Sequence, residues 1–277
     1  MKDLLPIDAT VVILTKNEER HIARAVQSAA GFREILVVDS GSTDRTVEIA
    51  VSHGAKVVQF SWDGQYPKKK EWALDHVTSD WVFYLDADEF FEDGLVQELS
   101  SAVREPAASS VEVPLRYFWL GSELKHGHRV SKRIGMRRSR CYWPQPDDLD
   151  VQNMWEVEGH YQPQVRTGRI VQAKNPMGHQ DEDGLYDYFA RHNRYSDWEA
   201  HMLHKDETVS TKSRSRLGRL AVKVPAKPLV FFLYSYIFRR GFLDGEAGLN
   251  YALALSFYYW QIGVKAKELK LATEFSI

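Results

Sequence analysis

The chain of 277 residues has one cysteine, Cys141, so no intrachain disulfide can staple it, and a lone thiol suits a reducing compartment. It has no excess of either charge. With 36 Lys and Arg against 38 Asp and Glu, a net charge of −2 and a pI near 6.6, the composition argues against a general nucleic-acid binder. No secretory leader is expected, because the first apolar run, Val11 to Leu14, is too short for one and is followed at once by Lys16, Asn17, Glu18 and Glu19. Long apolar runs are scarce as well. Leu229 to Phe238 falls short of the roughly 20 residues a spanning helix needs, and Ala247 to Val264 is marginal, with Asn250, Ser256 and Gln261 inside it. There is no fixed-period repeat. What the chain does have is 44% hydrophobic residues, enough to bury a real core in one large domain or in a domain with an appendage.

Strand and helix patterns alternate through the first ninety residues. Val11 to Thr15 reads as a buried strand, and Ile22, Val26 and Ala29 then fall at helical spacing. Glu34 to Asp39 is a second strand, ending in a turn where Gly41 relaxes the backbone and Thr43 or Asp44 can cap a helix reaching His53. Lys56 to Phe60 is a third strand and Glu71 to Val77 a third helix. Trp81 to Leu85 is a fourth strand. Four such alternations predict βαβ crossovers and a mainly parallel sheet, with Thr15, Asp39 and Asp86 at one edge.

The fourth strand runs straight into Asp86, Ala87, Asp88 and Glu89. Three carboxylates so close together repel one another, a cost usually offset by a bound cation or a basic partner, and the carboxyl ends of strands are where open α/β sheets bind ligands. A hard divalent metal that also grips phosphate oxygens suits such a site. The same triplet also fits a solvated turn or the first turn of a helix.

Three stretches, VVILTKNEE, ILVVDSGSTDRT and WVFYLDADE, occur in order within residues 10 to 100. Together they resemble the nucleotide-sugar half of inverting family-2 glycosyltransferases of the GT-A fold, particularly the bacterial branch that builds lipopolysaccharide core and other surface glycans. The resemblance implies that Thr15 and Glu18 border the nucleotide, that Asp39 accepts a hydrogen bond from the base (favouring uracil), and that Asp86 lies by the ribose and the metal. Asp88 would be the main protein ligand of Mg²⁺ or Mn²⁺. Read without the resemblance, Asp39 is a turn acid and Glu18 an exposed first-turn carboxylate. Pro67 to Leu74, PKKKEWAL, is similar to a Gln-Lys-Asn-x-Ala-Leu segment of that branch. Lys70 falls on the family lysine near the diphosphate, while Lys69 and Glu71 depart from the pattern. Three consecutive lysines also fit a solvated face.

Beyond residue 100 the likeness is looser. Ser110 to Tyr117 alternates as a strand, and Lys125 to Arg140 holds seven Lys or Arg and no acid, most of it expected to be a solvated basic hairpin. In NMWEVEGHYQP, Asn153 to Pro163, two glutamates lie among aromatics, where a carboxyl can be tuned as a general base. The resembling enzymes carry His-Glu here and the matching glutamate is Glu156, but Trp155 replaces the histidine, so the base stays open between Glu156 and Glu158, which would share a strand face. His179 is similar to a family histidine that approaches the metal or diphosphate, and neutral imidazole suits Mn²⁺ better than Mg²⁺.

Tyr186 to Leu203 has the composition of a long helix. Between Thr208 and Arg240 there are eight Lys or Arg and no acid. The expectation is therefore a GT-A, Rossmann-like, mainly parallel α/β sheet flanked by helices over residues 1–205, with a nucleotide-sugar half to residue 100 and an acceptor half after it. Residues 206–277 form a basic, aromatic helical appendage. The implied reaction moves a sugar from a nucleotide-diphosphate donor to a glycan or lipid-linked hydroxyl at the inner face of the plasma membrane, with the appendage meeting anionic lipid or a second copy. Two rivals are a sugar nucleotidylyltransferase, which would carry a Gly-rich, Arg-containing loop where this chain has Thr15 to Glu18, and a non-catalytic nucleotide-sugar binder.

Overall fold

The computed structural model describes residues 6–151, 161–179, 184–205 and 226–275. The segment holding Glu156 and Glu158 and the cationic stretch from Lys212 to Lys223 lie outside them.

Strand β1, Ile7–Thr15, is buried at every position from Ala9 onward, which is the mark of a strand covered on both faces. Helix α1, Ile22–Ser28, follows it and turns Ile22, Ala25 and Val26 onto the sheet. After β2, Phe32–Asp39, helix α2, Thr46–Ser52, and β3, Lys56–Gln59, the expected third helix is a single turn, α3, Lys69–Trp72, that tightens into a 3₁₀ turn over Ala73–His76. Strand β4, Trp81–Asp86, comes next. The acidic triplet then makes a tight turn into a two-residue strand, β5, Glu89–Phe90, rather than entering a helix. Helix α4, Asp93–Arg104, buries Leu95, Leu99 and Ala102 at i, i+4 and i+7.

The remaining strands are β6, Ala108–Pro114; β7, Tyr117–Trp119; β8, Ser122–Leu124; β9, Ser131–Arg137; β10, Cys141–Tyr142; β11, Gln164–Val165; β12, Arg169–Gln172; and β13, Gly178–His179. Seven strands, β6, β9 and β12 with the first four, form one sheet in the order β12-β6-β9-β4-β1-β2-β3. β1 pairs in parallel with β2 and β4, and β2 with β3, which is the mainly parallel sheet the alternation predicts. The basic run behaves differently from expectation. Its centre is β9, inserted antiparallel between β4 and β6, with Ile134, Gly135 and Met136 buried. A Cβ on Gly135 would stand 2.5 Å from the Phe83 ring and 3.2 Å from Val111, so only glycine lets Phe83 fill the core there. Phe83 in turn meets Phe32 edge to face at 5.6 Å.

The chain divides into two compact units. The first comprises Met1–Arg116, Val130–Trp143 and Gln162–Asp181, and holds the large sheet. The second comprises Tyr117–Arg129, Pro144–Tyr161 and Glu182–Ile277. Within the second, helices α5, Leu185–His204, and α7, Gly245–Phe275, pack together. Between them in sequence come α6, Lys227–Phe232, with Pro228 at its start, and a π-helical stretch over Leu233–Phe238. The β7-β8 hairpin adds Trp119 and Leu124 to a small core with Tyr251 and Ala254 of α7. His126 closes this unit through Asp244, donating its backbone N–H at 2.8 Å and placing Nδ1 2.8 Å from the carboxylate.

Candidate functional site

Register in the parallel sheet fixes which residues reach its carboxyl edge. Thr15 pairs with Asp39 across β1 and β2, and Leu14 with Asp86 across β1 and β4, so the three strand ends named from the sequence share one edge. The loops leaving them are tied to each other. Asn17, at φ +56°, donates its N–H to Ser42 Oγ at 2.8 Å and accepts the Thr43 N–H on its side chain at 2.8 Å. The Glu18 N–H donates to Thr46 Oγ1 at 2.7 Å, and the Glu18 carboxylate lies 2.8 Å from His21 Nδ1. Asp44, two residues ahead of the first residue of α2, accepts the Thr46 N–H at 3.0 Å, while the N-cap position itself is Arg45.

Asp39 is almost wholly buried and shapes the turn that follows it. One carboxylate oxygen accepts the N–H groups of Gly41 and Ser42 at 3.1 and 3.0 Å, and the other accepts the Ser42 hydroxyl. Thr15 Oγ1 is buried at the same edge with no hydrogen-bond partner among the described residues. A buried hydroxyl left unpaired costs free energy unless something else supplies the bond.

The lysine run does not form a solvated face. Lys68 and Lys70 are buried, and the Lys70 carbonyl accepts the Tyr84 hydroxyl at 2.9 Å. Trp143 Nε1 donates to the same hydroxyl at 3.3 Å, so a β4 side chain and Trp143 together hold the turn that carries Lys70. Lys69 Nζ donates to Ser40 Oγ at 2.9 Å, linking this turn to the β2 loop.

Lys132 is a site residue that the sequence reading passed over. β9 runs antiparallel to β4, so the start of β9 lies at the edge where β4 ends, and Lys132 comes to Asp86. Its ammonium donates to the Asp86 carboxylate and to both Glu89 oxygens at 2.9 and 2.8 Å, while Glu89 accepts the Asp86 N–H at 2.9 Å. Burial opposes ionisation of Asp86, yet Lys132, with Lys70 and Lys69 behind it, holds that carboxyl well below the usual range. Burial likewise opposes the Lys132 charge, and the two carboxylates more than reverse it, keeping the ammonium protonated far into alkali. Burial, then the neighbouring Asp86 charge, pushes the Glu89 carboxyl up. The sequence signal was present, because Lys132, Ile134 and Met136 share one strand parity and two of the three are plainly apolar.

Asp88 stands apart from that cluster. β13 pairs antiparallel with β5, setting His179 opposite Glu89 and Gly178 opposite Phe90. His179 Nε2 thereby lies 3.0 Å from Asp88 Oδ2 across 91 positions of sequence, with both side chains about a third exposed. Phe90 fills the space beside this pair. The Arg24 guanidinium lies 3.4 Å from its ring centroid, and a Cβ on Gly178 would fall 2.2 Å from the ring, so glycine is what allows the two short strands to close.

A parallel sheet whose strand ends gather carboxylates, lysines and a carboxylate–imidazole pair is the ligand-binding edge of an open α/β protein. Residues 10–167 match the family model described as Glycosyl transferase family 2, and the chain belongs to that family. It is 27% identical to the lipopolysaccharide core biosynthesis glycosyltransferase LpsC of Rhizobium meliloti over 276 residues, 95% of each chain. It is 43% identical over 100 residues to an uncharacterized glycosyltransferase of Rickettsia bellii, covering 36% of this chain and 34% of that one. The chain thus spans about a third of the length of the Rickettsia relatives it matches. Among solved structures, S. aureus TarS is similar at a TM-score of 0.44 and 16% identity, covering 95% of this chain and 91% of the other. Glucosyl-3-phosphoglycerate synthase from Mycobacterium tuberculosis, solved with Mn²⁺, UDP and glucosyl-3-phosphoglycerate, also scores 0.44 at 16% identity, with 68% and 77% covered.

Proposed function

We propose that the chain transfers a sugar, with inversion at the anomeric carbon, from a UDP-sugar to a hydroxyl of a glycan or lipid-linked acceptor in lipopolysaccharide or other envelope polysaccharide synthesis. Membership of the family and the end-to-end similarity to LpsC support the reaction class and the envelope role. The observation that carries the site is the Asp88–His179 pair, two residues assigned separately to one metal from the sequence and lying 3.0 Å apart.

The donor set fits a divalent cation. A carboxylate oxygen and an imidazole nitrogen, both partly open to solvent, offer one hard and one borderline ligand, a combination that suits Mn²⁺ better than Mg²⁺. Among the described residues no three His, Cys, Asp or Glu side chains converge on a common point, so diphosphate oxygens and water would complete the shell. When bound, the metal would stabilise negative charge on the departing diphosphate.

The chain's own residues have separate tasks in this reading. Thr15 and Glu18 border the nucleotide, and Asp39 both shapes the loop and receives the base. Asp86, held by Lys132 and by the Glu89 bond to its backbone N–H, lies by the ribose and the metal. Lys70 adds positive charge beside the diphosphate. Glu156 takes the acceptor proton as the acceptor oxygen attacks, with Glu158 the second choice. Residues 1–205 form the catalytic portion, and residues 206–277 hold the enzyme at the inner face of the plasma membrane.

The test is UDP or GDP release from a panel of nucleotide sugars with Mn²⁺, with and without glycan acceptors. Release from one UDP-sugar that an acceptor accelerates is the expected result. Binding of nucleotide sugar with no release from any donor would mark the chain as a non-catalytic binder.

A further inference from the structure

Among the described residues, helix α7 is covered on two flanks and left bare on a third. Toward α5, Tyr258 meets His192 edge to face at 5.4 Å, and Lys265 Nζ donates to the Asn193 carbonyl at 2.7 Å. On the other flank Tyr259 packs on Phe231 of α6 at 4.6 Å, with Lys227 Nζ 4.3 Å from its ring. At about 100° per residue, Leu253, Phe257, Trp260 and Val264 form the third stripe, each roughly half exposed, with Phe257 reaching Phe189 of α5 edge to face at 6.5 Å. Phe257 and Trp260 stack on one another at 5.3 Å. The π-helical stretch after α6 also exposes Leu233, Ile237 and Phe238, the last 78% exposed. Soluble monomers rarely leave large apolar and aromatic side chains gathered as they are on this stripe of α7 bare.

We propose that this face lies in the head-group layer of an anionic lipid bilayer, a reading that rests on the assignment of a lipid-linked or envelope acceptor. Charge beside the face selects this occupant over a second copy of the chain. The described residues from Lys227 to Arg240 carry three cations, Lys227, Arg239 and Arg240, and no acid, and the last two stand exposed immediately after Phe238. Two copies meeting here would bring like charges together, whereas anionic head groups neutralise them. Among the described residues no helix is long and apolar enough to cross a membrane, so contact is in the plane of the interface, where Trp, Tyr and Phe are favoured.

The full chain should float with vesicles of phosphatidylcholine and phosphatidylglycerol at low salt, less at high salt, and weakly with phosphatidylcholine alone. Replacing Phe257→Glu and Trp260→Glu together should cut vesicle binding by about tenfold or more, since two inserted aromatics become charges. Both side chains lie at the surface, so circular dichroism should be unchanged. If the double variant does not fold, Val264→Lys gives the same readout. A wild-type chain that stays unbound to every vesicle overturns the proposal, as does a folded variant that floats like wild type. Light scattering that shows a dimer dissociated by these substitutions would overturn it in favour of a second copy. UDP release in solution, measured in parallel, separates the two readings. Release without flotation sinks the bilayer face alone, and flotation without release from any donor sinks the transferase reading alone.

Discussion

Lys132 is the residue on which the acidic edge depends for its charge balance. Its ammonium is mostly buried against Asp86 and a nearly fully buried Glu89, so removing it strands two carboxylates. Lys132→Met should destabilise the chain by about 3–5 kcal/mol near neutral pH, the cost of breaking a buried ion pair from one side, measured by urea unfolding. The pH dependence follows from the directions of the shifts. In the native chain the depressed Asp86 carboxyl contributes stability that is present above its ordinary pKa near 4 and is lost as pH falls through the lower folded value. Without the cation Asp86 loses the largest of the charges that depress it and Glu89 loses the charge that opposes its upward shift, so the variant falls further behind wild type as pH rises. The difference between the two proteins should therefore shrink toward pH ~4, and a constant difference from pH 4 to 8 would argue against this account. At Asp88 the expectation is binding rather than stability. Asp88→Asn should weaken Mn²⁺-dependent UDP binding by about tenfold or more with an unchanged melting temperature, and unchanged affinity in calorimetry would move the metal elsewhere. Glu156→Gln should keep donor binding and slow transfer by about 10² to 10⁴-fold, with Glu158→Gln far milder.

At the scale of elements, two strands bring the distant residues to this edge. β9 was expected as an exposed basic hairpin because Lys125 to Arg140 is so cationic, but its cations divide by position. Lys132 and Arg133 sit at the end that meets acids, Asp86 and Glu112, while Ile134 to Met136 cross the core. The β5-β13 pair is only two residues on each side, and its closure depends on the missing side chain of Gly178. Gly178→Ala should cost about 1–3 kcal/mol through overpacking against Phe90. It should also weaken Mn²⁺-dependent nucleotide binding, although Gly178 is not itself a ligand, by displacing the neighbouring His179. Loss of stability with wild-type Mn²⁺ dependence would uncouple the strand pair from the metal.

Across the whole molecule, ligand and fold are linked. If UDP and Mn²⁺ bind only the native state, a hundredfold excess over the dissociation constant should stabilise the chain by about 2.7 kcal/mol, visible as a melting shift of several degrees. Asp88→Asn should show less of that shift, and an equal shift in both proteins would separate nucleotide binding from the metal. The alternation of buried strands and short helices to residue 90, the mainly parallel pairing and the common edge of Thr15, Asp39 and Asp86 were all legible from the sequence, because strand period and β-to-α connection are local properties. Asp88 and His179 could be nominated from the sequence by resemblance, but their proximity could not, since it comes from a pairing between segments 91 positions apart. Lys132 was hidden for the same reason. A lysine in a basic run counts as solvated until a neighbouring strand supplies its acids, and only tertiary structure sets β9 between β4 and β6. Local propensity writes the elements, while which charges meet is decided by non-local strand order, where one antiparallel insertion turned an apparent surface cation into the partner of Asp86.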